Sequence, residues 1–563
     1  MSLKNQQKIK SLFIFLSILS LLFVTRFYNL SWGLPFPFHP DERNMADALL
    51  KLSCANLSEC FAPDFYAYGQ TTIYLGYMIK TLLSYWLVVS DWVLAFLSLR
   101  LISALSSIAV VFLVVKIFRL VISKDNFSVD FYLFLMLIFS PVLIQFSHFG
   151  TTEAVLSFLF VLLIYTACLF LDDKIGIKKY VFVSSLVFGI ASAIKLSSVL
   201  FAFVVVLSLF IFSLQRKNEL NFVLQNLFYF GALSIVFYFL ASPYNLFKFN
   251  LFLSSMHYES SVALGSLKVF YTQQFDGSVP VLFQFLLIFP YALGIASPIF
   301  FVKGYLSILS ERNLKIILIK LSVLFVFLVN SFIYAKWTRF LAPIYPLVIL
   351  IVYLELIKLK NRLLFFSIVF LFISQGILFF SLYLKPDIRL LATNWLVDNI
   401  PAGAVVAQES GNVVDLPLVS YRNPNIKRLS LNLYEADFNP EVAQEVLSYL
   451  EEADYVILPS RRVFANFSCF YPEWHSNLFY RLVYFIYRIA VFNKTCSDLK
   501  SSFPVITKYY QELANPEKFQ LYAEFAPFRF SVSNKRIFYD ELAEETFSVF
   551  DHPIIRVYKR VSK

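Results

Sequence analysis

The sequence predicts a polytopic α-helical membrane protein with about eleven transmembrane helices, an interfacial helix and a C-terminal extracytoplasmic α/β domain. Three observations predict it. Of the 563 residues, 59% are hydrophobic and 19% aromatic, with mean hydropathy +0.68, a composition that excludes a soluble globular chain. Apolar runs long enough to cross a bilayer recur from residue 11 to residue 384. From Lys385 onward the chain turns polar and changes to short helix-like and strand-like patterns. The net charge of +11 does not point to nucleic acid, because Lys and Arg punctuate the apolar runs instead of clustering on a polar domain.

The first apolar run, Leu12 to Val24, follows Lys4, Lys8 and Lys10. Thr25-Arg26-Phe27-Tyr28 follows it, with no small-residue cleavage site, so it reads as an uncleaved first span. Expected spans are 11–30, 93–115, 130–147, 153–171, 180–194, 197–214, 222–242, 281–302, 316–334, 340–357 and 363–384. The apolar stretch 70–90 sets the parity of the rest. If it does not span, the clusters Lys116/Arg119/Lys124, Lys174/Lys178/Lys179, Arg216/Lys217, Lys303/Arg312/Lys315 and Lys358/Lys360/Arg362 all fall on the side of the N-terminus, inside. If it spans, Lys80 costs about 2.5–3.5 kcal/mol at the bilayer centre and the basic clusters flip outside. The stretch is therefore expected to lie on the outer leaflet. An odd number of crossings then makes this an integral plasma-membrane protein with a cytoplasmic N-terminus and an extracytoplasmic C-terminal portion.

Two domains are expected, 1–384 in the membrane and 385–563 outside it. In the second, a helix over Asp387 to Asn399 precedes a Pro401-Ala402-Gly403 turn and a strand over Ala404 to Ala407. A helix over Pro440 to Leu450, a strand over Tyr455 to Leu458 and a last strand over Ile554 to Tyr558 follow. Cys54, Cys60, Cys469 and Cys496 all fall in outer segments, and only Cys168 lies in a span. An even number on the oxidising face suggests bridges. Proximity favours Cys54–Cys60 and Cys469–Cys496 among the three possible pairings, with free thiols the alternative.

With this topology, ionisable and aromatic residues gather on the outer face. The first outer loop carries Asp41, Glu42, Arg43, Tyr66 and Tyr68, and the next turn His148 and Glu153. Lys195 follows the fifth span; His257, Tyr258 and Glu259 lie in a later loop; Lys336, Arg339 and Tyr345 surround the start of the tenth span. Charge beside a bilayer is costly, so its convergence from distant loops reads as a site. One chemistry that calls for carboxylates, cations and a bilayer together is transfer of a sugar from a lipid phosphate. A carboxylate, Asp41, takes the proton of the attacking hydroxyl. Lys195 and Arg339, with Lys336 behind them, stabilise the departing phosphate.

Each residue also has a structural reading. Asp41 can cap the helical run after Pro40. Neighbours on a helix point about 100° apart, so Asp41 and Glu42 do not both face one atom, and Glu42 can pair with Arg43 or another cation. Glu153 can favour a helix N-terminus, Lys195 can snorkel, and Lys336 and Arg339 can anchor at the interface. His148 and His257 could join the carboxylates around a divalent cation, but their spacing matches no metal motif. Arg100, set into the second span, is open to packing or to a lipid phosphate. The sequons at Asn56, Asn466 and Asn493 carry no weight, since the pattern arises often by chance.

Several stretches carry a resemblance. They are Asp41-Glu42, Phe65-Tyr66-Ala67-Tyr68-Gly69-Gln70, Ser140-Pro141 with His148-Phe149-Gly150-Thr151-Thr152-Glu153, and Ala193-Ile194-Lys195-Leu196-Ser197. Arg339-Phe340-Leu341-Ala342-Pro343-Ile344-Tyr345-Pro346 and Glu545-Thr546-Phe547-Ser548-Val549-Phe550-Asp551-His552-Pro553 complete the set. In this order they resemble the GT-C glycosyltransferases. More narrowly they resemble glycosyltransferase family 39, which holds protein O-mannosyltransferases and lipid A aminoarabinose transferases. The resemblance covers nearly the whole chain. It implies an inverting hexosyl- or pentosyltransferase of the cell envelope that uses a polyprenyl-phosphate sugar and a protein, lipid or glycan acceptor. It also implies Asp41 as the acidic catalytic residue, with Glu42 beside it as the other half of a catalytic acidic pair, Glu153 at a second acidic position and Lys195 near the lipid phosphate. The Lys-Pro-Pro of aminoarabinose transferases is missing, since Gly69-Gln70-Thr71-Thr72 stands there, so that subfamily's acceptor does not carry over.

The competing class is a transporter or flippase of lipid-linked sugars. Transporters place ionisable residues near the midplane of two repeated halves, whereas these charges sit at span ends and no repeat is present. A third class, a membrane scaffold, does not need carboxylates and cations converging on one face.

Overall fold

The computed structural model describes residues 3–53, 56, 61–122, 127–217, 219–410, 415–418, 426–470, 485, 489–491, 496–528 and 540–561. Among these, eight helices are long and apolar enough to cross a membrane. They are Asp91–Ile122, Glu153–Leu171, Ile177–Ile194, Leu196–Arg216, Leu220–Ala241, Leu314–Phe332, Thr338–Leu356 and Arg362–Phe380. Two of the expected spans are bent pairs, Asp130–Ile138 with Pro141–His148 at 51° and Gln284–Ala292 with Ser297–Ser310 at 113°. The first expected span is a shorter apolar helix, Leu12–Phe27.

The break before Pro141 has a sequence cause. Proline lacks the N–H that would bond the Leu137 carbonyl one turn back. Arg26 fills the gap from the first helix, donating to the Leu137 and Ile138 carbonyls at 3.1 and 3.0 Å. Its Nε donates to Ser107 at 2.9 Å. The helix Arg362–Phe380 crosses the break at Gly376, where a Cβ would lie 1.6 Å from the Phe139 carbonyl oxygen. Only glycine allows that approach.

The helix Gln70–Leu83 has 14 residues. At 1.5 Å per residue it is about 21 Å long, short of a hydrocarbon core of about 30 Å. It ends in the exposed apolar run Tyr85, Trp86, Leu87, Val88 and Val89, and Lys80 pairs with Asp91 at 2.7 Å. That is the form expected of an interfacial segment.

The C-terminal portion forms one five-stranded sheet among the described residues: β1 Val405–Glu409, β2 Lys427–Leu431, β3 Tyr455–Leu458, β4 Phe519–Phe525 and β5 Ile555–Arg560. The order is β2-β1-β3-β5-β4. β1 runs parallel to β2 and β3, and β5 antiparallel to β3 and β4. Successive side chains take opposite faces. Val406, Tyr455, Ile457 and Val557 pack with Leu396 of the helix Ile388–Asn399. Ala407, Val456, Leu458 and Tyr558 pack on the other face with the helices Pro440–Glu452 and Pro504–Leu513. Cys469 and Cys496 form a disulfide, and Cys168 is free and buried. Cys54 and Cys60, expected as a second bridge, lie outside the described residues.

Candidate active site

The helix Pro40–Lys51 begins with proline at its first position and two carboxylates in its first turn. His39 caps it, its Nδ1 accepting from the Glu42 amide at 3.4 Å. Burial, with Arg339, Arg100 and Arg389 nearby, holds His39 well below the usual histidine range, which leaves the ring neutral to accept. The 100° step between Asp41 and Glu42 sends them in different directions.

Asp41 faces a cavity of about 180 Å³. Its Oδ1 accepts from the Tyr68 hydroxyl at 2.9 Å, and its Oδ2 pairs with Arg339. Burial raises the Tyr68 pKa, so the hydroxyl stays a donor. The Arg339 guanidinium stands 4.8 Å from the Trp337 ring. A second pair lines the same cavity. Glu153 opens the helix Glu153–Leu171, Lys195 ends the helix Ile177–Ile194, and the two are 3.6 Å apart. The Lys195 ammonium lies 5.8 Å from the Tyr68 ring and 5.5 Å from the Phe340 ring. Glu259, from the helix Phe249–Leu264, adds a carboxylate to the wall.

Of the expected site residues, Asp41, Tyr68, Glu153, Lys195, Glu259 and Arg339 therefore share one cavity. The others do not line it, and the reasons differ. Glu42, expected beside Asp41 in the chemistry, is buried against Arg100 with Nε–Oε1 2.6 Å and Nη2–Oε2 2.9 Å. The Gly150 amide donates to the same Oε1 at 2.6 Å, and Arg100 also donates to the Leu30 and Trp32 carbonyls at 2.7 and 2.8 Å. This answers the open question of Arg100. Arg43 stands a further step around the helix, about 200° from Asp41. Tyr66 is buried outside the cavity wall.

His148 stacks on Tyr383 with ring centroids 3.7 Å apart, and its two nitrogens meet the carbonyls of Ile144 and Tyr28 at 2.9 and 3.1 Å. It faces neither the carboxylates nor His257. Tyr258 is exposed, its hydroxyl 3.4 Å from that of Tyr271. Lys336 is buried and donates to the carbonyls of Ile333 and Tyr334 at 3.0 and 3.1 Å, just past the helix Leu314–Phe332. Burial pushes its pKa down to about 8. Tyr345 is buried too, its hydroxyl donating to the Thr338 carbonyl at 2.8 Å. Among the described residues no three His, Cys, Asp or Glu side chains gather as a metal-binding set.

Sequence reasoning missed Thr151, Thr152, Ser197, Ser198, Asn330 and Trp337, which also line the cavity. Ser197 and Ser198 belong to a 3₁₀ turn, Leu196–Phe201, that starts the long helix Leu196–Arg216. For all but Asn330 the signal was position alone, one to three residues from a charged candidate; Asn330, six residues before Lys336, gave none. At the position of the missing Lys-Pro-Pro, Gln70 donates to Asn245 at 2.6 Å and Thr71 to the Ala241 carbonyl at 3.0 Å, so both tie the interfacial helix down.

Fold and site together define a polytopic helical membrane protein with an α/β domain and a cavity holding two acid–cation pairs. No family model and no curated protein sequence matches the chain. Among solved structures it is similar to ArnT from Cupriavidus metallidurans bound to undecaprenyl phosphate, at 14% identity over 89% of this chain and 76% of that one, TM-score 0.45. It is similar to the apo form of the same protein at 12% identity over 81% and 93%, TM-score 0.48. It is also similar to the oligosaccharyltransferase AglB from Archaeoglobus fulgidus in complex with an inhibitory peptide and a dolichol-phosphate, at 12% identity over 80% and 69%, TM-score 0.45.

Proposed function

We propose that this chain is an inverting glycosyltransferase that moves a sugar from a polyprenyl-phosphate donor to an acceptor hydroxyl at the outer face of the membrane. One observation carries the reading: the pairs Asp41–Arg339 and Glu153–Lys195 line one cavity. A donor phosphate entering it competes for both cations and frees both carboxylates. The acceptor oxygen then attacks the anomeric carbon from the face opposite the phosphate. Asp41 takes the hydroxyl proton as the new C–O bond forms. The bond between the sugar and the phosphate oxygen breaks, its electron pair leaves with the lipid phosphate, and Arg339 and Lys195 bear the growing charge. Tyr68, donating to Asp41, fixes which oxygen faces the acceptor.

The orientation and the division at residue 384 belong to the same proposal. The Cys469–Cys496 bridge supports an extracytoplasmic location for the C-terminal domain. Broken spans are also a feature of transporters. Here Arg26 fills the break at Ser140 and no cavity charge reaches it.

The test is Asp41→Asn, which keeps shape and removes the base. Mass spectrometry of envelope glycans and lipids should show one sugar modification present with the native protein and lost with the variant, at equal expression. An unchanged profile would remove Asp41 as the base. A modification lost only through failed export of the lipid-linked sugar would favour the flippase.

A further inference from the structure

His39, two residues before Asp41, and Thr338, one residue before Arg339, are both held by one short segment near the end of the chain. The Glu544 carboxylate accepts from the Thr338 amide at 2.9 Å, immediately before Arg339. The same carboxylate accepts from Gln274 at 2.9 Å and from the Thr546 amide and hydroxyl at 3.1 and 2.5 Å. It is 1% exposed, so four donors fix it in a dry setting. Tyr345 takes the other side of the same residue, donating to the Thr338 carbonyl at 2.8 Å. Thr338 is thus clamped at both its N–H and its C=O.

Six residues after Glu544, Phe550 does the corresponding work for Asp41. Its ring centroid is 4.5 Å from that of His39, which caps the Asp41 helix, and Phe149 touches His39 from another side at 4.7 Å. The segment between is seated firmly. Gln145 donates to the Phe547 carbonyl at 2.7 Å and to Asp551 at 3.0 Å, and Tyr383 donates to the same Asp551 oxygen at 3.0 Å. Arg389 donates to the Phe550 carbonyl at 2.6 Å.

We infer that Glu544–Phe550 is a strut that sets the spacing of Asp41 and Arg339, with Glu544 and Phe550 as positioning residues. Its bearing on catalysis rests on the function proposed above; its bearing on geometry does not. A displacement of about 1 Å in a catalytic group is costly even when it arises far from the chemistry.

Two measurements on the full-length protein in detergent separate these. In hydrogen exchange, Glu544→Gln should speed exchange at least about 10-fold in peptides covering 337–344, and Phe550→Leu in peptides covering 37–44. Glu452→Gln, at an exposed pair with Lys427, should change neither. In binding of undecaprenyl phosphate, both strut variants should lose about 10-fold, about 1.4 kcal/mol. Glu544→Gln added to Arg339→Ala should lose nothing beyond Arg339→Ala alone. Unchanged exchange in both segments overturns the strut. Faster exchange with full affinity, or additive losses, overturns its positioning role. A native protein that does not bind undecaprenyl phosphate counts against the proposed function, and the exchange result still decides the strut.

Discussion

Glu42 and Arg100 form a bidentate ion pair between the helix Pro40–Lys51 and the longest span, with side chains 1% and 5% exposed. Removing one partner of such a pair strands a buried charge, at a cost of about 3–5 kcal/mol. Glu42→Gln and Arg100→Met should each lower the thermal midpoint by several degrees. The double variant should recover much of the loss. Thermal scans of the four proteins in one detergent test this, and additive losses would show that the pair is not coupled.

Gly150 closes that pair. A Cβ there would lie 2.6 Å from Leu99 Cβ and 3.0 Å from Glu42 Oε1. Gly150→Ala should destabilise by about 1–3 kcal/mol through overpacking. Its effect should shrink in a Glu42→Gln background, where the neighbouring carboxylate no longer holds its place. Equal losses in both backgrounds would place the clash on Leu99 alone.

Tyr68→Phe removes one hydrogen bond to a charged group, worth about 1.5–3 kcal/mol. If that bond orients Asp41 for proton transfer, the rate of the folded protein should fall about 10- to 100-fold, with a stability loss no larger than that of the bond. Single-turnover kinetics would show it, and a native rate would assign Asp41 orientation to Arg339 alone.

Burial pushes the Glu409 pKa from 4.5 up to about 8, while hydrogen bonds from Tyr510, at 2.7 Å, and Tyr509 oppose the shift. A folded-state pKa above the unfolded one means that the native state holds the extra proton. The contribution of Glu409 to stability is therefore fullest below pH 4.5 and is lost as pH rises to about 8. His552 acts in the same direction: desolvation lowers its pKa, but Asp551 and Asp540 outweigh it and raise the value to about 10. That contribution is present below 6.5 and lost on the way to 10. Glu409→Gln should flatten the loss of thermal midpoint between pH 5 and pH 8 relative to the native protein. Parallel curves for the two proteins would remove Glu409 as a source of the slope.

A membrane-impermeant thiol reagent, applied to intact cells after reduction, should label Cys469 and Cys496. Labelling only after the membrane is opened would reverse the proposed orientation.

Much of the cavity was legible because a charge beside an apolar span is expensive and therefore visible. Asp41, Glu153, Lys195 and Arg339 were found that way. Glu42 and Lys336 carried the same signal and a different task. Adjacent residues on a helix face different neighbours, and only the packed rotation tells which one meets Arg100. A lysine at a span end reads alike whether it faces a ligand or caps carbonyls. In the sheet, β1, β3 and β5 were legible from their apolar runs. The edge strands β2 and β4 were not. Lys427, Arg428, Gln520 and Glu524 interrupt them with the polar side chains that blunt a sheet edge. The two bent pairs read as single spans because apolarity records length and not direction.

The hold of Glu544 on Thr338 also orders events in time. A ribosome completes every membrane helix before it reaches Glu544, so Asp41 and Arg339 first meet without their brace. On the strut inferred above, the cavity is completed last, once Glu544–Phe550 and the strand β5 that follows it have been made. A chain cut short before Glu544 would hold all its membrane helices and lack the acceptor that fixes the Thr338 amide.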